Sequence, residues 1–194
     1  MGDDSHAHGI IAAMWTTNIP HCRPERRGLS AGLHIDAVAG TTRSESHEFG
    51  WRQPIVVDSN NAKNATNASC NVSGSWTASN NVGGFYQTGY FWRSTGSSSD
   101  LAEFKANLPS AKKMLVEAYW PAASDRSPNA PFVIHNAAGD HLGTVTVNQQ
   151  KNGSSWVTLG TFNFTAGWNV VALSRWTTSG YVVVADAVRF TEVP

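Results

Sequence analysis

From Ile55 onward the apolar positions fall in short runs separated by clusters of Gly, Pro, Asn and Ser. The runs are Ile55–Asp58, Leu101–Leu108, Met114–Trp120, Pro131–Asn136, Leu142–Gln149, Trp156–Phe164, Trp168–Arg175 and Tyr181–Thr191. Each is rich in β-branched or aromatic residues, and such runs bounded by turn formers predict strands. Thr144-Val145-Thr146-Val147 alternates strictly, the period of a half-buried strand. The Asn-Gly pair in KNGSSW (151–156) predicts a β-hairpin. TAGWN (165–169) and TTSGY (177–181) predict the next two turns, and the polar stretch SNNAKNATNAS (59–69) predicts a loop. Pro121, Pro128 and Pro131 crowd the longest inter-strand loop, a place where function tends to sit. A series of short strands with regular turns implies an all-β fold, an antiparallel sandwich or barrel.

The first 54 residues read differently. GIIAAMW (9–15), PHCRPERRG (20–28) and GLHIDAVAG (32–40) show no sustained helical or strand period. Five of the seven histidines lie in the first 47 residues, and seven of the eight tryptophans lie from Trp51 onward. This shift places a boundary near residue 52. Residues 1–54 form a short irregular extension, disordered or the tail of a truncated domain, and 55–194 form one domain. A segment as small as the extension buries too little surface to fold alone.

Composition narrows the function classes. Charged residues are 14% of the 194, against about 25% in an average soluble domain. The formal net charge is zero, which argues against an electrostatic nucleic-acid binder. No apolar run reaches the ~18 residues of a membrane span. The opening MGDDSHAHG lacks the apolar region of a signal peptide. Asn, Ser and Thr together make roughly a quarter of the chain, a surface suited to strands and turns rather than helices. Cys22 and Cys70 are the only cysteines, and they form either one disulfide or two free thiols.

Six segments carry a resemblance: GSWTAS (74–79), GFYQTGYFWRS (84–94), NLPSAKKMLVEAYWPA (107–122), RSPNAPFVIHNAAG (126–139), VTVNQQKNGSSWVTLGTFNFTAG (145–167) and GYVVVADAVRF (180–190). In this order they resemble the domain family shared by the C-terminus of golvesin and the C-terminal module of xanthan lyase. The resemblance covers about residues 55–194. It implies a β-sandwich of jelly-roll type, an extracellular or cell-surface location, and a non-catalytic role in binding a polysaccharide or glycan. It also implies an attached or partner enzyme domain, because such modules accompany hydrolases, lyases and peptidoglycan amidases. Two segments depart from the family pattern. SNNAKNATNASC (59–70) is longer and richer in Asn, and LSRWTTSGY (173–181) has Arg175 and Trp176 where an acidic, polar turn is common.

Sugar contacts need flat rings for the apolar pyranose face and polar groups for the hydroxyls. Tyr86 and Tyr90 flank a Gly-containing loop and Trp176 lies in a turn, so these three are the expected solvent-facing rings. Asp125-Arg126, before the Pro-rich loop, reads as an ion pair or loop lock, with Arg126 as the secondary candidate for an anionic sugar. Trp120 and Trp156 sit at strand ends and read as packing residues. Gln149 and Gln150 satisfy loop backbone groups or, less in keeping with their place, read sugar hydroxyls. His135 has no acidic or nucleophilic companion in sequence and reads as a packed residue. Asp58 and Asp186 lie in the first and last strands; they share a calcium, which demands six to eight oxygens, or accept loop amides. The enzyme alternative is a zinc hydrolase with ligands among His6, His8, His34 and Asp36, but there is no HExxH. Otherwise no cofactor is expected. A third alternative is a structural or protein-interaction sandwich without a sugar ligand.

Overall fold

Strict alternation builds the central strands. β5 (Ala102–Leu108) buries Ala102, Phe104, Ala106 and Leu108 and leaves the polar residues between them partly exposed. β7 (Ala130–His135) buries Ala130, Phe132 and Ile134 in the same alternation, with Pro131, Val133 and His135 partly exposed. A computed structural model describes residues 53–194, all within one compact unit, Glu48–Pro194. The remaining strands are β1 (Ile55–Asp58), β2 (Ala68–Val72), β3 (Thr77–Ser79), β4 (Tyr90–Ser94), β6 (Lys112–Tyr119), β8 (His141–Val147), β9 (Val157–Phe164), β10 (Gly167–Leu173), β11 (Val182–Ala185) and β12 (Ala187–Glu192). One 3-10 turn, Asn61–Lys63, follows β1.

The strands form an antiparallel sandwich of jelly-roll type, as expected. The first sheet runs β1-β12-β6-β9 and the second β2-β5-β10-β7-β8, with a small third sheet, β11-β4-β3, at one side. The inner faces meet in one core. Val57, Val116, Val188 and Phe190 come from the first sheet, and Phe104, Ile134, Val171 and Leu173 from the second. Phe164 and Phe190 pack edge to face at 5.7 Å between ring centres. Fully burying one such side chain contributes about 1.5–3 kcal/mol. Trp120 is 1% exposed, and its indole N–H donates to Lys151 O at 3.2 Å, which fits its reading as a packing residue.

Four local expectations are corrected. The Asn-Gly pair does not close a hairpin: β8 pairs with β7 and β9 with β6, so residues 148–156 cross between sheets. Gly153 is there for close approach, since a Cβ would overlap the backbone and side chain of Ala122 and lie 2.9 Å from Trp120 O. The run Tyr181–Thr191 is two strands, β11 and β12, in different sheets and divided at Asp186. The loop expected over 59–69 ends early, because Ala68 and Ser69 already pair with Ala106 and Lys105. The segment 74–94, read without strands, contains β3 and β4. Cys70 is a buried free thiol whose pKa is pushed up to about 12, chiefly by burial. Cys22 and the candidate zinc ligands His6, His8, His34 and Asp36 lie outside the described residues.

Candidate functional site

The Asn-rich segment after β1 is held by its own carboxamides. Asn64 Oδ1 accepts from Asp58 N at 2.7 Å, and Asn64 Nδ2 donates to Asp58 O at 2.9 Å. Asn61 does the same for Cys70, donating to its carbonyl at 2.6 Å and accepting from its amide at 2.7 Å. Asn60 caps the 3-10 turn through Ala62 N at 3.1 Å, and its Nδ2 reaches Thr88 Oγ1 at 3.0 Å. Side-chain amides thus stand in for missing strand neighbours, which is how so polar a segment keeps one shape.

This segment forms one wall of a groove of about 580 Å³ between β2 and β3. Asn60, Asn61, Ser79, Asn80 and Thr88 give it hydroxyls and carboxamides, and Val72, Ala78 and Phe91 give it an apolar floor. Tyr90 and Ser79 also line a second, smaller cavity of about 290 Å³. There they meet Val82, Trp92, Asn81, Asp125, Arg126 and Val182. The Tyr90 hydroxyl lies 3.4 Å from Arg126 Nη2 and accepts from Val82 N at 3.3 Å. Arg126 Nη1 donates to both carboxylate oxygens of Asp125, at 2.8 and 2.9 Å.

The four residues named from sequence fall in three places. Tyr90 is not in a loop: it opens β4 and is 4% exposed. Arg126 is likewise buried, and it is the one expected candidate brought against Tyr90. Tyr86 is half-buried in a ring cluster, 5.6 Å from Tyr119 and 5.2 Å from Trp156 between centroids. Trp156 packs there as expected and carries the Arg189 guanidinium 4.5 Å above its ring, while Arg189 Nε bonds Glu117 at 2.7 Å. Trp176 is 67% exposed, as the turn predicts, but it borders neither cavity. The carboxamides of the large groove were not singled out in sequence. Their signal was the unusual Asn content of 59–70, which reads as plain loop until β3 is placed opposite.

Most of the remaining polar candidates act on backbone. Gln149 is fully buried, donating to Val184 O at 2.8 Å and accepting from Val184 N at 2.9 Å. Gln150 holds Arg126 O at 2.9 Å. His135 lies beside His141, 5.4 Å between rings. Asp58 and Asp186 are each 1% exposed. Asp58 Oδ1 accepts from Asn60 N at 2.7 Å, and Asp186 Oδ2 accepts from Tyr86 N at 3.0 Å. Their other oxygens, Asp58 Oδ2 and Asp186 Oδ1, have no partner. Burial above all, and secondarily the Asp58 charge, raise the Asp186 pKa to about 8 against the opposing Tyr86 amide. Among the described residues no group of three or more His, Cys, Asp or Glu is placed to hold a metal.

Residues 55–192 match the Golvesin C-terminal domain. The chain belongs to this family. A xanthan lyase from Bacillus sp. (strain GL1) is 30% identical over 144 residues, which is 72% of this chain but 15% of the lyase. The structure of Paenibacillus xanthan lyase superposes with a TM-score of 0.61 at 30% identity, covering 73% of this chain and 13% of that one. The family 35 carbohydrate-binding module Xyl-CBM35, solved with a glucuronic acid containing disaccharide, gives a TM-score of 0.51 at 19% identity, covering 71% of this chain and 92% of that one. At that identity the likeness to the module is one of fold. No helix among the described residues is long and apolar enough to cross a membrane.

Proposed function

We propose that this golvesin C-terminal domain is a non-catalytic module that binds an extracellular or cell-wall polysaccharide in the large groove. The observation that carries the reading is the groove itself: an apolar floor with Phe91, rimmed by five hydroxyl and carboxamide side chains. Sugar rings present the matching pair of surfaces, an apolar face and a ring of hydroxyls. The similar xanthan lyases, and the family 35 module solved with a glucuronic acid containing disaccharide, support it. In such a setting the domain accompanies an enzyme domain and raises its local substrate concentration.

The test is affinity electrophoresis and calorimetry of the purified protein against a panel of soluble polysaccharides that includes xanthan. Asn80 is exposed at the groove rim, and its carboxamide bonds to no other described residue. Asn80→Ala should weaken retention about tenfold, the order of a lost sugar hydrogen bond, with no change in thermal stability. Absence of retention by every polysaccharide in the panel overturns the reading and favours a structural or protein-interaction module.

A further inference from the structure

We propose that the smaller cavity receives the carboxylate of an acidic sugar, and that Asp125 is an internal stand-in which the ligand displaces from Arg126. The inference rests on the glycan-binding reading above and names the substrate class of the adjoining subsite. The decisive asymmetry lies within one ion pair. The Arg126 side chain is 5% exposed and that of its partner Asp125 is 63% exposed. A buried guanidinium needs an anion beside it. Here the anion comes from the preceding residue in the chain and stands on the solvent side.

Both residues are held by their backbones, Asp125 O accepting from Val182 N at 3.0 Å, but the other side-chain contacts are those of the cation. Arg126 N donates to Ala123 O at 3.1 Å, and Arg126 O accepts from Gln150 Nε2 at 2.9 Å. Arg126 also bridges to Val182 of β11. Its guanidinium lies 5.7 Å from the Tyr90 ring centre, and its Nε has no partner. By contrast, among the described residues the Asp125 carboxylate accepts hydrogen bonds from Arg126 alone. A two-oxygen contact to one guanidinium is what any carboxylate can make. Exchanging one carboxylate for another leaves the charge in the cavity unchanged, so no new ion is buried unpaired.

The cavity suits one sugar residue. At about 290 Å³ it lies at the small end of ligand pockets, which start near ~300 Å³. Trp92 and Tyr90 supply ring surface, and Ser79 and Asn81 supply groups for hydroxyls. Ser79 and Tyr90 line both cavities, so the two subsites adjoin.

Methyl β-D-glucuronide and methyl β-D-glucoside differ only at the carbon that bears the carboxylate, so they serve as the probe pair in an NMR titration of the whole chain. The native protein should prefer the glucuronide. Asp125→Asn removes the internal competitor from an exposed position, and it should tighten glucuronide binding about tenfold while leaving the glucoside unchanged. Arg126→Lys keeps the charge but loses the fork, and should abolish the preference. Equal binding of the two glycosides by both the native protein and Asp125→Asn overturns the acidic-sugar inference and leaves the glycan reading standing. Weaker glucuronide binding by a folded Asp125→Asn overturns the displacement idea. Failure of both glycosides and of every polysaccharide overturns the glycan reading itself.

Discussion

Asp186 sits where the last two strands part, and its burial makes the stability of the domain depend on pH in an unusual direction. Its carboxyl is raised from 3.8 to about 8 by burial and by the nearby Asp58, while the Tyr86 amide opposes the shift. Asp58 is raised as well, chiefly by its own burial, with Asn60 N–H and Lys63 pulling the other way. The folded state therefore binds protons that the unfolded chain has released, and stability falls as pH rises through this window. The contribution is fully present below about pH 4 and is lost by about pH 8. At ~1.4 kcal/mol per pK unit the shift of Asp186 corresponds to ~6 kcal/mol, a large part of the ~5–15 kcal/mol that holds a typical domain together. Asp186→Asn keeps an oxygen for the Tyr86 amide and removes the group that titrates. Urea unfolding between pH 4.5 and 8.5, in EDTA, should show native stability declining by several kcal/mol and the variant, which keeps Asp58, declining much less, with the variant the more stable above pH 7. A native curve that is flat or rises with pH, or a variant with the same slope, refutes the argument.

Gln149→Ala should cost about 2–3 kcal/mol in urea unfolding, because it leaves both backbone groups of Val184 buried and unpaired. Trp120→Ala should cost about 3–5 kcal/mol by the same assay, from the cavity it opens in a core position that is 1% exposed. Trp176→Ala should change stability by less than ~0.5 kcal/mol, since the ring is mostly in solvent. Residues 55–194 expressed without the preceding segment should fold cooperatively, as read by circular dichroism; an unfolded product would mean that the boundary drawn near residue 52 is misplaced.

The core was legible because sandwich strands announce themselves locally. Alternation in β5 and the short apolar runs of β6, β7 and β10 need no partner to be recognised. The short β3 and the aromatic β4 were missed because three to five residues carry too little pattern beside their glycines. Asn-Gly misled for a different reason. Glycine serves a tight turn and a close backbone crossing equally well, and only the position of Ala122 against Gly153 tells them apart.

The candidate site divides along the same line. That Arg126 would pair with Asp125, and that Gln149 and Gln150 would serve backbone, followed from side-chain chemistry and adjacency in the chain. The sequence by itself determined the all-β class, the strand periods and the family to which residues 55–192 belong. Tertiary structure alone decided which polar groups share a cavity, because Asn60, Ser79, Tyr90 and Arg126 lie on separate elements. It also decided burial: a tyrosine one residue from a glycine looks exposed until the strand it opens takes its place in the third sheet, and Tyr90 ends 4% exposed within the core. Local pattern reports what a residue prefers, and long-range strand pairing, here Asp58 against Ala187 and Ser79 against Tyr90, fixes what it meets.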